Sequence, residues 1–238
     1  MNKKIHTNDL GIIDYQQAWD YQEQLLKENV RIKQAITRGE IPEGEAIGTT
    51  NYLLFCEHPP VYTLGKSGHM ENLLINSQQL EDKGIGFVPT NRGGDITYHG
   101  PGQVVGYPIL DLEHFFTDIG KYLRCLEDVI IHTLADYGIQ GGRSAGETGV
   151  WLDTHDPARV RKICAMGVRC SRWVTMHGFA LNVNTDLNYF NNIVPCGIAG
   201  KKVGSLHEEL GYEVPVAEVK AKLSHYFAAV FDAEMMMD

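Results

Sequence analysis

Apolar residues recur at helical spacing from Tyr15 to Ile36, with Trp19, Leu25, Leu26, Val30 and Ile32 among them and no Gly or Pro inside, so this stretch predicts a helix. The charged run from Gly39 to Gly48, with Pro42 in it, predicts a loop. Short apolar runs at Tyr52–Cys56 and Val61–Leu64, parted by Pro59-Pro60, predict two strands. Ile96–Tyr98 and Val104–Ile109 predict two more, inside a glycine-dense segment that runs from Asn91 to Gly106. A second helix is expected over Ile119–Tyr137, apolar at Leu123, Leu126, Ile130, Ile131 and Leu134, with Gly138 as its stop. Strands are expected at Gly149–Leu152, Ile163–Val168, Trp173–Met176 and Phe179–Val183. A final helix is expected after Pro215, to about Phe231, with Val219, Leu223, Phe227 and Val230 on one face. Helices bracketing short strands predict an α+β fold: a single domain with a central mixed, mostly antiparallel sheet and flanking helices.

At 238 residues and 43% hydrophobic, the chain can bury a sizeable core, which excludes disordered and fibrous classes. No run approaches the roughly 18 apolar residues of a membrane span. The first ten residues carry two lysines without an apolar core behind them, so no secretory signal is expected and the cytoplasm is the expected location. Five cysteines without regular spacing or a C-x-x-C pair predict neither a disulfide framework nor a structural zinc site, and no metal is expected. A net charge of −9 argues against general nucleic-acid binding. That charge is uneven: between Pro157 and His207 the only acid is Asp186, against Arg159, Arg161, Lys162, Arg169, Arg172, Lys201 and Lys202. Such a stretch is either a solvated basic face or a docking surface for an acidic partner.

Gly141 to Thr148 has the glycine spacing of a phosphate loop, but Glu147 stands where the phosphate-binding lysine must be. Gly100-x-Gly102 lacks the third glycine of a dinucleotide fingerprint. The string Arg92-Gly93-Gly94-Asp95-Ile96-Thr97-Tyr98-His99-Gly100-Pro101-Gly102-Gln103 holds more chemistry. It is either an elaborate turn or a loop whose glycines let backbone approach a ligand while Arg and His supply directed donors. Cys196, between Pro195 and Gly197, sits on irregular backbone where a thiol is accessible, whereas Cys56, Cys125 and Cys164 fall in apolar surroundings that suit packing. Lys162, opening an apolar strand, is either solvated or drawn into a pocket where it can serve as a base.

These segments closely resemble the lipoyl(octanoyl) transferase family. The match comprises Glu57 to Gly65, Arg92 to Gln103, Lys162 to Val168, Thr175 to Asp186 and Pro195 to Leu206, in order and at the family's separations. Gly204 departs from it, standing where the family has threonine, and Trp173 and Met176 depart as well. The resemblance implies the fold of the biotin and lipoate protein ligases and a catalytic pair, here Cys196 and Lys162. It places acyl contacts on Arg92, Gly93, Gly94, Asp95, Ile96, Thr97, Tyr98 and His99, on Ala165, Met166 and Gly167, and on Gly178, Phe179 and Ala180. Residues 1–48 are expected as an N-terminal helix-and-loop extension and 49–238 as the acyltransferase catalytic domain.

The activity so implied takes an octanoyl group from octanoyl-acyl carrier protein to Cys196 and then to a lysine of a lipoyl domain, in a 2-oxoacid dehydrogenase complex or the glycine cleavage protein. Thioester exchange is nearly neutral and amide formation is downhill, so no cofactor is expected. Three alternatives stay open: an ATP-dependent lipoate or biotin ligase of the same fold, a non-catalytic module that binds acyl carriers, and a thioesterase. A ligase has no need of the Pro195-Cys196-Gly197 cysteine, and amide formed without ATP separates it from a transferase. An acyl adduct on Cys196 excludes the binding module, and free octanoate instead of amide marks the thioesterase.

Overall fold

The computed structural model describes residues 2–40, 48–194 and 202–237. In chain order they form β1 (Lys4–Ile12), α1 (Tyr15–Arg38), β2 (Asn51–Glu57), β3 (Val61–Leu64), α2 (Ser77–Asp82), β4 (Gly86–Pro89), β5 (Ile96–His99) and β6 (Gln103–Ile109). Then come α3 (Ile119–Ala135), β7 (Gly141–Gly142), β8 (Val150–Leu152), β9 (Arg161–Ser171), β10 (Val174–Asn182), β11 (Lys202–Val203), α4 (Leu206–Leu210), α5 (Val216–Phe231) and β12 (Glu234–Met237).

The strands make two sheets. A nine-stranded mixed sheet runs β12-β1-β2-β6-β10-β9-β8-β7, with β11 added beside β9, and a three-stranded sheet runs β4-β3-β5. Both faces of the large sheet are covered, so its central strands β6 and β10 are buried along their whole length. Along β2, Leu53 and Phe55 join the core under α3 and α5, while Leu54 and Cys56 join the core under α1. The α+β expectation is met, with one mixed sheet between helices.

α1 begins where the Asp14 carboxylate accepts hydrogen bonds from the N–H groups of Gln16 and Gln17, and stops at Gly39, whose φ is 67°. Its buried face is not purely apolar. Gln22 accepts a hydrogen bond from the His177 N–H, and the Asn29 amide exchanges two hydrogen bonds with the backbone of Thr50. These amides clip the helix to strand backbones, so α1 keeps one register over the sheet.

Two expectations change. β1 and β12 were not foreseen, because Lys4–Ile12 mixes polar and turn residues without period-2 alternation; the strand forms because both its edges are paired, in parallel, with β12 and β2. The segments Trp173–Met176 and Phe179–Val183 belong to one strand, β10, paired without interruption to β9 from Val174–Ser171 to Leu181–Cys164. Arg172 (φ 49°) and Trp173 (φ 65°) form the two-residue turn between them, the positive-φ geometry that suits strand twist, so Trp173 is turn and not strand.

Glu127 on α3 is fully buried and accepts charge-assisted hydrogen bonds from Arg143 at 2.8 Å and from the Gly149 N–H at 3.0 Å, with Arg124 at 2.8 Å. It ties the 143–149 loop, with its phosphate-loop-like glycines, to α3. Glu127→Ala leaves the buried Gly149 N–H without a partner and is expected to cost about 1–3 kcal/mol of stability. Urea unfolding checks this, and a midpoint equal to wild type refutes it.

Candidate active site

The Arg92–Asp95 loop is gripped from two sides. The N–H groups of Gly65, Lys66 and Ser67 donate to the carbonyls of Asp95, Arg92 and Gly94 at 3.0–3.2 Å, and the Gly93 N–H donates to the Val168 carbonyl of β9 at 3.0 Å. The second contact demands glycine in β9, since a Cβ on Gly167 would stand 2.5 Å from the Gly93 carbonyl oxygen. Gly178 on β10 faces the same constraint, at 2.1 Å from the Gly106 carbonyl oxygen.

Between this loop and the large sheet lies a cavity of about 430 Å³. Of the residues anticipated from sequence, Arg92 to Thr97, His99, Ala165 to Gly167, Gly178 to Ala180 and Lys162 all line it. Tyr98 does not. It is buried in the core of the small sheet, its ring stacked on Tyr189 at 4.7 Å and 6°. The anticipated Cys196 lies outside the described residues, as does Lys201. Val194, two positions before Cys196, donates its N–H to the Asn72 carbonyl, and the Asn72 side chain donates to Asp95 at 2.7 Å.

The cavity extends along β9. Lys162 marks one end, its Nζ 4.5 Å from the centre of the Trp151 ring. Val168, paired with His177 and bound to Gly93, marks the other, roughly 20 Å away at the strand rise of about 3.3 Å per residue. The walls between are largely apolar, with Val105, Leu123, Met166, Phe179 and Ala180 among them. Tyr15, Tyr107, Trp151, His177 and Asn182 also line it, and sequence reasoning passed over them. His177 had a visible signal: a titratable side chain inside a buried strand beside a glycine. It adopts φ 57°, in the left-handed region that non-glycine residues seldom enter.

The buried histidines and Tyr15 here are held neutral. Burial pushes the His58 and His99 pKa values down, for His99 with the His58 and Arg92 charges also opposing protonation. Burial, with Arg92 and Arg169 nearby, brings His177 to about 3, and burial lifts Tyr15 to about 12. Burial likewise raises the thiols of Cys56, Cys125, Cys164 and Cys170, so among the described cysteines none is a ready thiolate. The hydrogen bonds fix the tautomers. His58 Nδ1 donates to the Ile13 carbonyl and Nε2 accepts from the Tyr107 hydroxyl, both at 2.7 Å. His99 Nδ1 donates to Gln103 Oε1 at 2.8 Å, leaving Nε2 to accept from the Thr63 hydroxyl at 3.3 Å.

The basic stretch is basic in sequence more than in space. Arg161 is clasped by Glu209 and Asp153, and Arg169 pairs with Glu23 at 2.6 Å. Arg172 is exposed, at the end of β9 remote from Lys162. Arg159 and Lys202 remain exposed near Lys162, Arg159 at 3.1 Å from Asp153 and Lys202 donating to the Ala158 carbonyl.

Comparison with known proteins accords with this geometry. Residues 14–228 match the family described as lipoyl protein ligase A/B catalytic domain. Curated octanoyltransferases of Flavobacterium johnsoniae and Christiangramia forsetii are 62% and 61% identical, over 99% of this chain and 100% and 99% of theirs. The octanoyltransferase of Cytophaga hutchinsonii is 57% identical over 97% of this chain and 94% of its own. Among solved structures, a bipartite lipoate protein ligase of Thermoplasma acidophilum superposes with TM-score 0.68 at 17% identity, covering 100% of this chain and 87% of that one. Lipoate-protein ligase A bound with ATP gives 0.68 at 15%, covering 100% and 89%. At such identities the ligases share the fold, while the 57–62% relatives share the family. The chain belongs to the lipoyl protein ligase A/B catalytic-domain family, among its octanoyltransferases.

Proposed function

We propose that this octanoyltransferase works through a covalent thioester: Cys196 takes the octanoyl group from an acyl carrier protein and passes it to the lysine amine of a lipoyl domain, in the cytoplasm. The observation that carries the reading is the cavity, an apolar channel along β9 with an amine, Lys162, at one end. An alkyl chain fits the channel walls, and each methylene taken from water contributes about 0.8 kcal/mol. The Cys196 thiolate attacks the thioester carbonyl, the carrier thiol leaves with a proton, and the acceptor amine later attacks the acyl-enzyme and loses its proton. Lys162 is the base and cation of both steps. The raised thiols of the four described cysteines favour Cys196 for the nucleophile. A transferase needs no ATP, because the donor is already a thioester.

Intact mass after incubation with octanoyl carrier protein, without ATP, is expected to show one octanoyl adduct, mapped to Cys196 and discharged by the acceptor domain. An adduct on another cysteine, or a requirement for ATP, refutes the reading. Lys162→Ala is expected to slow acylation by about 10²–10⁴-fold, the span of general acid–base groups, while leaving the melting temperature close to wild type. Unchanged single-turnover acylation would remove Lys162 from the chemistry.

Docking of an acidic carrier falls to Arg159 and Lys202, the exposed cations near Lys162. Reversing both to Glu is expected to raise KM for octanoyl carrier protein, mainly through slower association, with little effect on octanoyl-coenzyme A. Equal losses with both donors would assign these residues to the pocket and not to docking.

A further inference from the structure

Six buried or backbone groups between the glycine loop and Lys162 donate in one direction. Arg92 Nη2 donates to Thr63 Oγ1 at 2.8 Å, and the Thr63 hydroxyl faces His99 Nε2 at 3.3 Å. His99 Nδ1 faces Gln103 Oε1 at 2.8 Å, and Gln103 Nε2 donates to Asn182 Oδ1 at 2.9 Å. Asn182 Nδ2 donates to the Gly204 carbonyl at 3.0 Å, and the Gly204 N–H donates to the Lys162 carbonyl at 3.0 Å. The Gln103 amide fixes the sense, because its nitrogen is engaged by the Tyr98 carbonyl and by Asn182, so its oxygen must accept from His99.

Asn182 is the junction. It is the last residue of β10, 4% exposed, and each of its amide atoms serves one neighbour. On the far side, β11 is only two residues long and pairs with Arg161 and Lys162, so its own ladder holds it weakly. Gly204 follows β11 directly, and through it Asn182 anchors β11 against the strand end that carries Lys162. We propose that Asn182 is a positioning residue for octanoyl transfer, seating Lys162 through Gly204 and β11. The inference rests on the role given to Lys162 above.

An aspartate at this position keeps the acceptor for Gln103 but sets a second carboxylate oxygen against the Gly204 carbonyl. Two buried acceptors then face each other and β11 moves off Lys162. The test is steady-state amide formation, from octanoyl carrier protein to a lipoyl domain, by wild type, Asn182→Asp, Lys162→Ala and the double variant, with melting temperatures. Asn182→Asp is expected to lower kcat about 100-fold, the loss typical of a misplacement near 1 Å, with donor KM within about twofold. Its kcat relative to wild type should rise as pH falls, since a protonated carboxyl again donates to the Gly204 carbonyl. In the Lys162→Ala background it should cost nothing further. A full additional loss in that background, or an unchanged kcat in the single variant, overturns the positioning role and leaves the Lys162 reading standing. Wild-type kcat in Lys162→Ala overturns the Lys162 reading itself. Should Asn182→Asp not fold, Asn182→Ala carries the same kcat comparison and the same double variant.

Discussion

The site depends on one backbone approach, the Gly93 N–H against the Val168 carbonyl. It brings a loop of the small sheet directly onto a strand of the large one, which only a residue without a Cβ at Gly167 allows. That contact sets the roof of the cavity against its floor. Its roof is the Arg92–Asp95 loop, its floor is β9 and β10, and its long axis follows the strand direction. The turn at Gly65–Ser67 spends its N–H groups on holding the loop, so those donors face protein and not ligand. The cavity therefore has walls of fixed shape, which the fold supplies by hydrogen-bonding the loop to both neighbours.

Polar side chains beside a largely apolar cavity cost least when each is satisfied and uncharged. Burial achieves the second condition for His58, His99 and His177, and the interlocked tautomers achieve the first for His58 and His99. Arg92 is the exception that keeps its charge. Among the described residues no carboxylate is in ion-pair contact with it; the Thr63 carbonyl and hydroxyl and the Gly93 carbonyl take its protons instead. Its positive charge thereby polarises the Thr63 hydroxyl toward His99, in the sense that the Gln103 amide fixes.

Helices were the most legible part of the sequence, because α1, α3 and α5 each carry apolar residues at helical spacing, and Gly39 and Gly138 close the first two. β1 was not legible, since its strand character comes from neighbours far along the chain and not from its own alternation. The glycine string left a binding loop and an elaborate turn both open; in the structure Tyr98 turns to the core while Thr97 beside it lines the cavity, and the period of two along β5 separates them. Tyr15, Tyr107 and Asn182 were invisible as site residues because each looks like ordinary core until the strands are placed side by side. Charge misled in the same way, for Arg161 and Arg169 meet Glu209, Asp153 and Glu23, acids that lie outside their own stretch of sequence.

Lipoate-protein ligase A, which shares this fold, has been solved bound with ATP, so the fold by itself does not choose between adenylation and transfer. The choice is made by where the free energy enters. A carboxylic acid must be activated within the site, which calls for cations placed to hold phosphates. A thioester arrives activated, and the site has only to strip water from the acyl chain, present a nucleophile and move a proton. Of the described cations along the cavity, Arg92 is committed to Thr63 and Gly93, Lys162 is set over Trp151, and Lys202 donates to the Ala158 carbonyl while staying exposed. The wall described here is largely apolar, as an alkyl chain requires, and any choice between the two chemistries rests on side chains and not on the shared backbone.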